Sequence, residues 1–517
     1  MISEMRIQNI RSLRDTGDVP VKKINIAVGM NSSGKSTFIR VFPLLRQSVE
    51  VRTKGPLLWY GRLVDFGDFK EAKTAGSNDG SVAITFNLRI KRQSSRAGNL
   101  PGSNFRGYSL PARVKVTVNI DQAGGDDFGF ISKLKLQLDS DVVEITMDPS
   151  WVRAIIVNGV NFSPESDQYW YVGGGESKIP NLTYHVEKSS AEGDLLEDDP
   201  AWAINGMARM LSSIAHGNTS MDRLRSVAVQ LAYAPGEKFK AQFSKLSGAP
   251  DGVRHALYTY ANASKSAFLD KLQGLALINV LPWVLRDVSA SFEEFGAGVR
   301  YIEPVRASVE RYYRQQDLAV DEIDSSGANT AMYLRSLDAY ELKALTAWME
   351  ERLGFRVYTE RSSGNVAVKI RVNGESVGRN VADLGFGYSQ VLPVILQLWH
   401  SCLRPRRASK RASVVAIEQP ELHLHPKFQS SLADVFVSVA NSMPGREDSV
   451  PFFIETHSEH IINRLGALVA EGRLDREDVQ VLLFDKEGSD TRITSVQFDE
   501  YGVLSEAWPL GFFLPEV

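Results

Sequence analysis

The sequence predicts an α/β fold, a mixed sheet with helices, whose core is split by a helical insertion. Three observations predict it. Residues 23–28 form an apolar strand pattern that runs into the glycine-rich segment 29–37, and a helical pattern over 36–49 follows. Far along the chain, residues 413–418 repeat the buried-strand pattern and end in a carboxylate, Glu418. Between the two, residues 201–295 space apolar side chains at three and four, as amphipathic helices do.

In chain order, 5–10 and 23–28 read as short strands around a polar turn at 15–18. Alternating or β-branched patterns at 81–91, 112–120 and 131–139 read as antiparallel strands, with a loop rich in Gly, Ser, Asn and Arg at 94–108. From 151 to 200 the composition turns polar, with Gly173-Gly174-Gly175 and an acidic stretch at 192–199, which reads as the entry to an inserted domain. Helices are expected at 202–214, 221–231 and 263–285, and the absence of sustained heptads argues against a long coiled coil. A strand at 299–303 returns the chain to the core. A helix at 337–353 and a hairpin of 357–358 with 366–372 follow. Helix and strand then alternate at 389–403, 413–418, 427–441, 451–455, 459–471, 479–486 and 491–498. The expected division is 1–150 for the N-terminal part of the core, 151–295 for a mainly helical insertion, 296–465 for the C-terminal part and 466–517 for a small α/β domain.

The composition narrows the class. With 517 residues, 43% hydrophobic and 23% charged, the chain suits a globular protein of two or three domains. A net charge of −3 provides no global attraction to nucleic acid or anionic lipid, so any such contact must be local. The single Cys402 rules out an intramolecular disulfide and a cysteine zinc site, and fits a reducing compartment. The N-terminal MISEMR has no signal-peptide pattern, and the apolar run at 391–399 is half the ~20 residues a membrane span needs. A cytoplasmic protein without membrane contact is expected.

The segment Gly29, Met30, Asn31, Ser32, Ser33, Gly34, Lys35, Ser36, Thr37 fits G-x-x-x-x-G-K-[ST]. Glycines let backbone N–H groups turn onto phosphates, and the next helix adds the positive end of its dipole. Lys35 is expected to reach the β- and γ-phosphates of ATP, and the Ser36 hydroxyl to ligate Mg²⁺. Glu418, delivered by a dry strand, is the natural second metal ligand.

Glu418-Gln419-Pro420-Glu421, followed by His423-Leu424-His425-Pro426 and by Glu455-Thr456-His457-Ser458-Glu459-His460, resembles the ABC-type ATPases of the SMC-like and overcoming-lysogenisation-defect group. The resemblance spans roughly 1–90 and 295–517. It implies an ABC-type P-loop ATPase core, with His457 as the switch histidine and 422–426 as the D-loop. The signature loop, which in that family binds the γ-phosphate of the opposing subunit, falls on Asp383-Leu384-Gly385-Phe386-Gly387-Tyr388-Ser389-Gln390. Gly385, Gly387, Ser389 and Gln390 would then face ATP across a homodimer, with a higher oligomer left open. Residues 301–306 and 311–313 resemble a core element of the group, and 508–513 a small C-terminal domain of one bacterial branch. The resemblance further implies a defence role beside a separately encoded nuclease, as in Septu-like and retron-associated systems, with DNA repair or maintenance as an alternative.

Gln419 departs from the family pattern, in which a glutamate polarises the attacking water. An amide can orient water but cannot take its proton. Either Glu421 acts as base, or hydrolysis is slow and the ATP-bound dimer is the working state; a non-hydrolysing scaffold is the extreme of the second case. Only residues 461–517 follow His460, too few for the nuclease domain of self-sufficient relatives. His423, His425, His457 and His460 are explained by these motifs better than by zinc. Arg404, Arg406, Arg407, Lys410 and Arg411 crowd one segment that reads as a solvated loop or as a contact for nucleic acid or an acidic partner, as do Arg89, Lys91, Arg92, Arg96 and Arg106. The ABC Q-loop has no clear counterpart, because Gln47 lies within the predicted helix and 61–69 has no glutamine.

Overall fold

The computed structural model describes residues 2–76, 80–90, 108–122, 129–162, 168–173, 178–190, 193–198, 202–263, 266–316, 320–404, 412–443, 445 and 449–505. Its architecture is mixed α/β. The central sheet has six strands in the order Val299–Ile302, Val414–Glu418, Phe452–Glu455, Ile24–Gly29, Val479–Glu487 and Asp490–Val496. The first five run parallel, and the last pairs antiparallel with its neighbour.

Every residue of the first four of these strands is buried, as expected of parallel strands covered on both faces. The alternation of side chains sorts them into two cores. Ala27, Val414, Ala416, Phe453, Leu482 and Phe484 join one core, and Ile26, Val28, Val415, Ile417, Ile454 and Val481 join the other. The first core holds helix Lys35–Glu50, where Phe38 lies edge-on to Phe484 with ring centres 5.5 Å apart. The second holds helices Phe386–Leu398, Pro426–Ser442 and Glu459–Ala470.

A second, antiparallel sheet runs from Ile2–Ile10 through Val82–Arg89, Arg113–Gln122, Gly129–Leu138, Asp141–Met147, Val152–Val157 and Val160–Asn161. The long helix Ala267–Ala297 packs between this sheet and the helix Lys35–Glu50. Phe86 meets Phe295 at 5.5 Å, and a Cβ on Gly296 would lie 3.0 Å from Val49.

Three expectations are corrected. The antiparallel sheet continues past residue 150, and strands Gln168–Gly173, Asn181–Ser190 and Gly193–Asp198 form a further sheet before the first insertion helix. The insertion is therefore helical only in its second half; the glycine run at 173–175 and the acidic stretch at 192–199 masked the strands between them. The helix expected to end at 285 runs to Ala297, passing through Pro282, because burial of eighteen of its residues outweighs the backbone hydrogen bond a proline removes. Strands Val479–Glu487 and Asp490–Val496, placed in a separate C-terminal domain, are hydrogen-bonded edge members of the central sheet. The segments 91–107, 405–411 and 508–513, which carry most of the two basic patches and the terminal motif, lie outside the described residues. Among the described residues, the one helix long and apolar enough to cross a membrane is Ala267–Ala297, and 72% of its most apolar stretch is buried inside the protein.

Candidate functional site

The C-terminal ends of the parallel strands converge on the glycine-rich loop. The loop's shape follows from its sequence: Gly29, Ser32 and Gly34 all have positive φ, at 152°, 61° and 97°. A Cβ on Gly29 would come within 2.3 Å of the Phe484 carbonyl, and one on Gly34 within 2.8 Å of both Ser12 Oγ and Thr491 Oγ1. Both positions therefore demand glycine. Thr491 Oγ1 donates to the Ser33 carbonyl at 2.9 Å, so the edge hairpin braces the loop from behind.

Lys35 is almost fully buried. Its Nζ donates to the carbonyls of Gly29 at 2.9 Å and Met30 at 2.7 Å, folded back inside the loop. Burial lowers its pKa, with Glu455 opposing. Ser33 Oγ is buried without a hydrogen-bond partner, an unfilled polar position in a loop shaped for an anion. Asn31 and Ser32 are exposed and Thr37 half-buried. These residues fit a nucleotide triphosphate: a glycine-only cradle, a buried ammonium and an orphaned hydroxyl at one helix N-terminus.

The Ser36 hydroxyl donates to Glu455, whose oxygens lie 2.8 and 3.0 Å away, and not to Glu418. Glu418, 1% exposed, is held by Arg40, with Nε to Oε1 and Nη2 to Oε2 both at 2.8 Å. It also accepts from the Tyr301 hydroxyl at 2.7 Å. That ion pair raises the Arg40 pKa, while burial, helped by the Glu418 charge, raises that of Tyr301. Burial and the nearby Glu418 push Glu455 up to about 7. Sequence reasoning gives Arg40, Glu455, Tyr301 and Arg306 no site role, although Glu455 stands in the motif around His457 and Tyr301 and Arg306 in the segment 301–306 that carries the resemblance. A signal for Arg40 was present, since it sits four residues after Ser36 and so on the same helix face.

Gln419 adopts a left-handed backbone, φ 44°, rare for a residue with a side chain. Its N–H donates to the Glu455 carbonyl at 2.8 Å. Arg306, 3% exposed, grips the same turn, donating from Nη2 to the carbonyls of Glu418 at 2.8 Å and Gln419 at 3.3 Å. Its Nε and Nη1 have no hydrogen-bond partner, and burial lowers its pKa to about 10. Glu421 Oε1 accepts the His457 backbone N–H at 2.7 Å while its Oε2 has no partner, and burial raises its pKa. Glu421 thus positions the segment that carries His457. Burial, then Lys35, lowers the His457 pKa, which favours the neutral ring.

Gly385, φ 82°, opens the helix Phe386–Leu398 and is exposed; Gly387 is half-buried. Ser389 and Gln390 are buried, and Gln390 Nε2 donates to the Arg306 carbonyl at 3.4 Å. A Cβ on Gly387 would lie 3.4 Å from the His423 carbonyl. The expected signature loop and the turn after Glu418 are therefore neighbours within one chain. His425 caps the following helix, its Nδ1 accepting from the Lys427 N–H at 3.3 Å. Gln47 is a structural residue: its amide donates to the Leu58 and Val64 carbonyls and accepts from the Leu63 and Val64 N–H groups. Of the first basic segment, Arg404 is engaged with Glu341 at 2.8 Å.

Residues 341–462 match the family model described as an AAA ATPase domain. The matched stretch contains Gly385, Glu418 and His457 but not the glycine-rich loop. No curated protein matches the chain. Among solved structures, the Smc head domain of Pyrococcus furiosus bound to the C-terminal domain of ScpA is similar with 10% identity and a TM-score of 0.35, over 96% of each chain. The SMC head domain of Thermotoga maritima is similar with 8% identity and a TM-score of 0.35, over 95% of this chain and 98% of that one.

Proposed function

We propose that the protein is a Mg²⁺-dependent ABC-type ATPase subunit that binds ATP at Gly29–Thr37 and closes as a head-to-tail homodimer, its Gly385–Gln390 segment meeting the partner's nucleotide. The observation that carries this reading is the loop itself: a glycine-only turn, a buried Lys35 and an orphaned Ser33 hydroxyl at the start of a helix. When bound, Mg²⁺ would offset charge on the β- and γ-phosphates. Ser36 and Glu418 would hold it, with Glu455, hydrogen-bonded to Ser36, beside them. Lys35, released from the Gly29 and Met30 carbonyls, would turn to the phosphates, and His457 would donate a ring N–H to the γ-phosphate.

Gln419 favours occupancy over turnover as the signal, because the residue directly after Glu418 is an amide, which cannot take the proton of water. Slow hydrolysis fits a switch that holds a separately encoded effector, a nuclease of bacterial anti-phage defence, in one state while ATP is bound. A cytoplasmic location accords with that role. The second reading, a scaffold that binds ATP without hydrolysing it, rests on the same residue; pre-steady-state against steady-state phosphate release separates the two.

The test is sedimentation of the purified chain with and without Mg²⁺-ATP, beside Lys35→Ala. A nucleotide-dependent shift from monomer to dimer, lost in Lys35→Ala, is expected. Tight ATP binding with no change of mass would overturn the dimer, and absence of ATP binding would overturn the whole reading.

A further inference from the structure

Glu418 is one of three carboxylates at its end of the central sheet. It pairs with Glu455 on one neighbouring strand, and Glu303 follows Ile302, which pairs with Ile417 on the other side. The three therefore stand level across adjacent strands. Tyr301, Ala416 and Phe453, two residues earlier on each strand, all join the core that holds the helix Lys35–Glu50, so the alternation turns the carboxylates towards that helix. Arg40 meets them there, one turn after Ser36. We infer that Arg40 is a built-in rival of the divalent cation: it holds Glu418, the metal-facing carboxylate, and cation entry is an exchange in which the guanidinium passes to Glu303. The exchange rests on the ATP reading above and deepens it.

The ion pair has the geometry of a competitor. Both Arg40 contacts to Glu418 are 2.8 Å, and Oε1 also accepts from Tyr301, so the oxygens a cation needs are engaged. The Glu418 side chain is 2% exposed and that of Arg40 32%, so the guanidinium lies on the solvent side of the carboxylate and is the partner free to move.

Charge marks its destination. Burial raises the Glu303 pKa, with Asp324 and Glu418 adding to the rise and Arg40 opposing it. Burial and Glu418 raise that of Glu455, against Ser36, Lys35 and Arg40. The two other cations near the row are engaged with main chain: Lys35 donates to the Gly29 and Met30 carbonyls, and Arg306 to those of Glu418 and Gln419. Glu455 accepts from Ser36, beside the metal position, which leaves Glu303 as the carboxylate Arg40 can take without meeting the incoming cation. Stripping the guanidinium from a buried carboxylate is strongly unfavourable unless another cation replaces it. A lone divalent ion must do this unaided, whereas one arriving with nucleotide brings phosphate oxygens as further ligands. Cation binding thereby becomes dependent on nucleotide.

The experiment is Mn²⁺ titration of the full chain followed by electron paramagnetic resonance, first without nucleotide. Arg40→Met should bind one Mn²⁺ about tenfold or more tightly than wild type, because it frees a buried carboxylate, and adding Glu418→Gln should remove the gain. Arg40→Lys, which keeps the charge without the bidentate fork, should show a smaller gain and decides the matter if Arg40→Met does not fold. With ATP present, the difference between wild type and the Arg40 variants should shrink. Glu303→Gln should weaken Mn²⁺ binding with ATP in wild type but not in an Arg40 variant; equal weakening in both would overturn Glu303 as the destination. Unchanged Mn²⁺ affinity in the Arg40 variants, or a gain that survives Glu418→Gln, would overturn the exchange. ATP binding by wild type in EDTA is measured separately, and its absence would instead overturn the ATP reading.

Discussion

Asp141, where the insertion joins the antiparallel sheet, and the Glu421–Arg306 pair beside the Glu418 strand are all buried charges, yet they are treated differently. Asp141 is saturated by neutral donors. Asn158 Nδ2 reaches Oδ1 at 2.8 Å, and the Tyr233 hydroxyl and Gln273 Nε2 reach Oδ2 at 2.8 and 2.9 Å. Three elements are thereby tied to one carboxylate. Glu421 and Arg306 are as deeply buried but keep Oε2, Nε and Nη1 without partners. Native interiors rarely leave such groups open. The contrast separates a joint, which closes its own hydrogen bonds, from a site whose bonds await a ligand or a movement.

The largest effect belongs to the joint. Asp141→Ala should destabilise the protein by about 3 kcal/mol, because it strands the Tyr233 hydroxyl and the Gln273 amide in the interior. Urea denaturation reads that loss, and ATP titration of the folded variant should show unchanged affinity. A fall in ATP affinity comparable to the stability loss would break the distinction between the two regions.

His400 offers a second probe of a closed cluster, this time through pH. It is buried against Tyr333 and Arg404, its Nδ1 accepting from the Tyr333 hydroxyl at 3.0 Å. Burial first, then the charges of Arg300 and Arg404, lowers its pKa to about 3. The unfolded chain takes up the proton near pH ~6.5 and the folded chain does not. Stability from this group is therefore complete above that pH and is lost as pH falls towards the folded value. Between pH 7 and 5 the loss is about 2 kcal/mol by linkage. His400→Asn, which keeps an acceptor but cannot titrate, should flatten this part of the stability–pH curve. An unchanged slope would show that the cluster opens to water.

The glycine-rich loop and Glu418 were legible because each is written in consecutive residues whose local geometry does the work. The positive φ values of Gly29 and Gly34 are what a G-x-x-x-x-G-K-S segment needs. Glu455, Tyr301 and Arg306 were not legible as site residues, because their roles depend on the order of strands in the sheet. Nothing in 452–455 says that this strand lies between the loop strand and the Glu418 strand. The alternation of 479–487 marked a strand correctly but not its sheet. The 168–198 strands escaped for a different reason: Leu182, Tyr184 and Val186 do alternate with polar residues, but the run of glycines at 173–175 and the acidic stretch at 192–199 beside them read as loop.

Gln419 tests the open region directly. The left-handed backbone there is held by the Glu455 carbonyl and the Arg306 guanidinium, both of which bond to main-chain atoms of Gln419. A glutamate can therefore occupy the position at the same backbone cost. It would supply the missing acceptor for a water proton, a contribution of ~10²–10⁴ in favourable cases. Crowding by Glu418, Glu421 and Glu455 works against its ionised form, so a smaller gain is expected: steady-state phosphate release about tenfold faster in Gln419→Glu, near 1.4 kcal/mol in the barrier. That result would show that occupancy is prolonged in the natural protein by this one amide. If Glu421 already serves as base, Gln419→Glu should bring no gain and Glu421→Gln should abolish turnover. The unpartnered Oε2 would then be the catalytic oxygen, and the open bonds beside Arg306 would mark the path by which it moves.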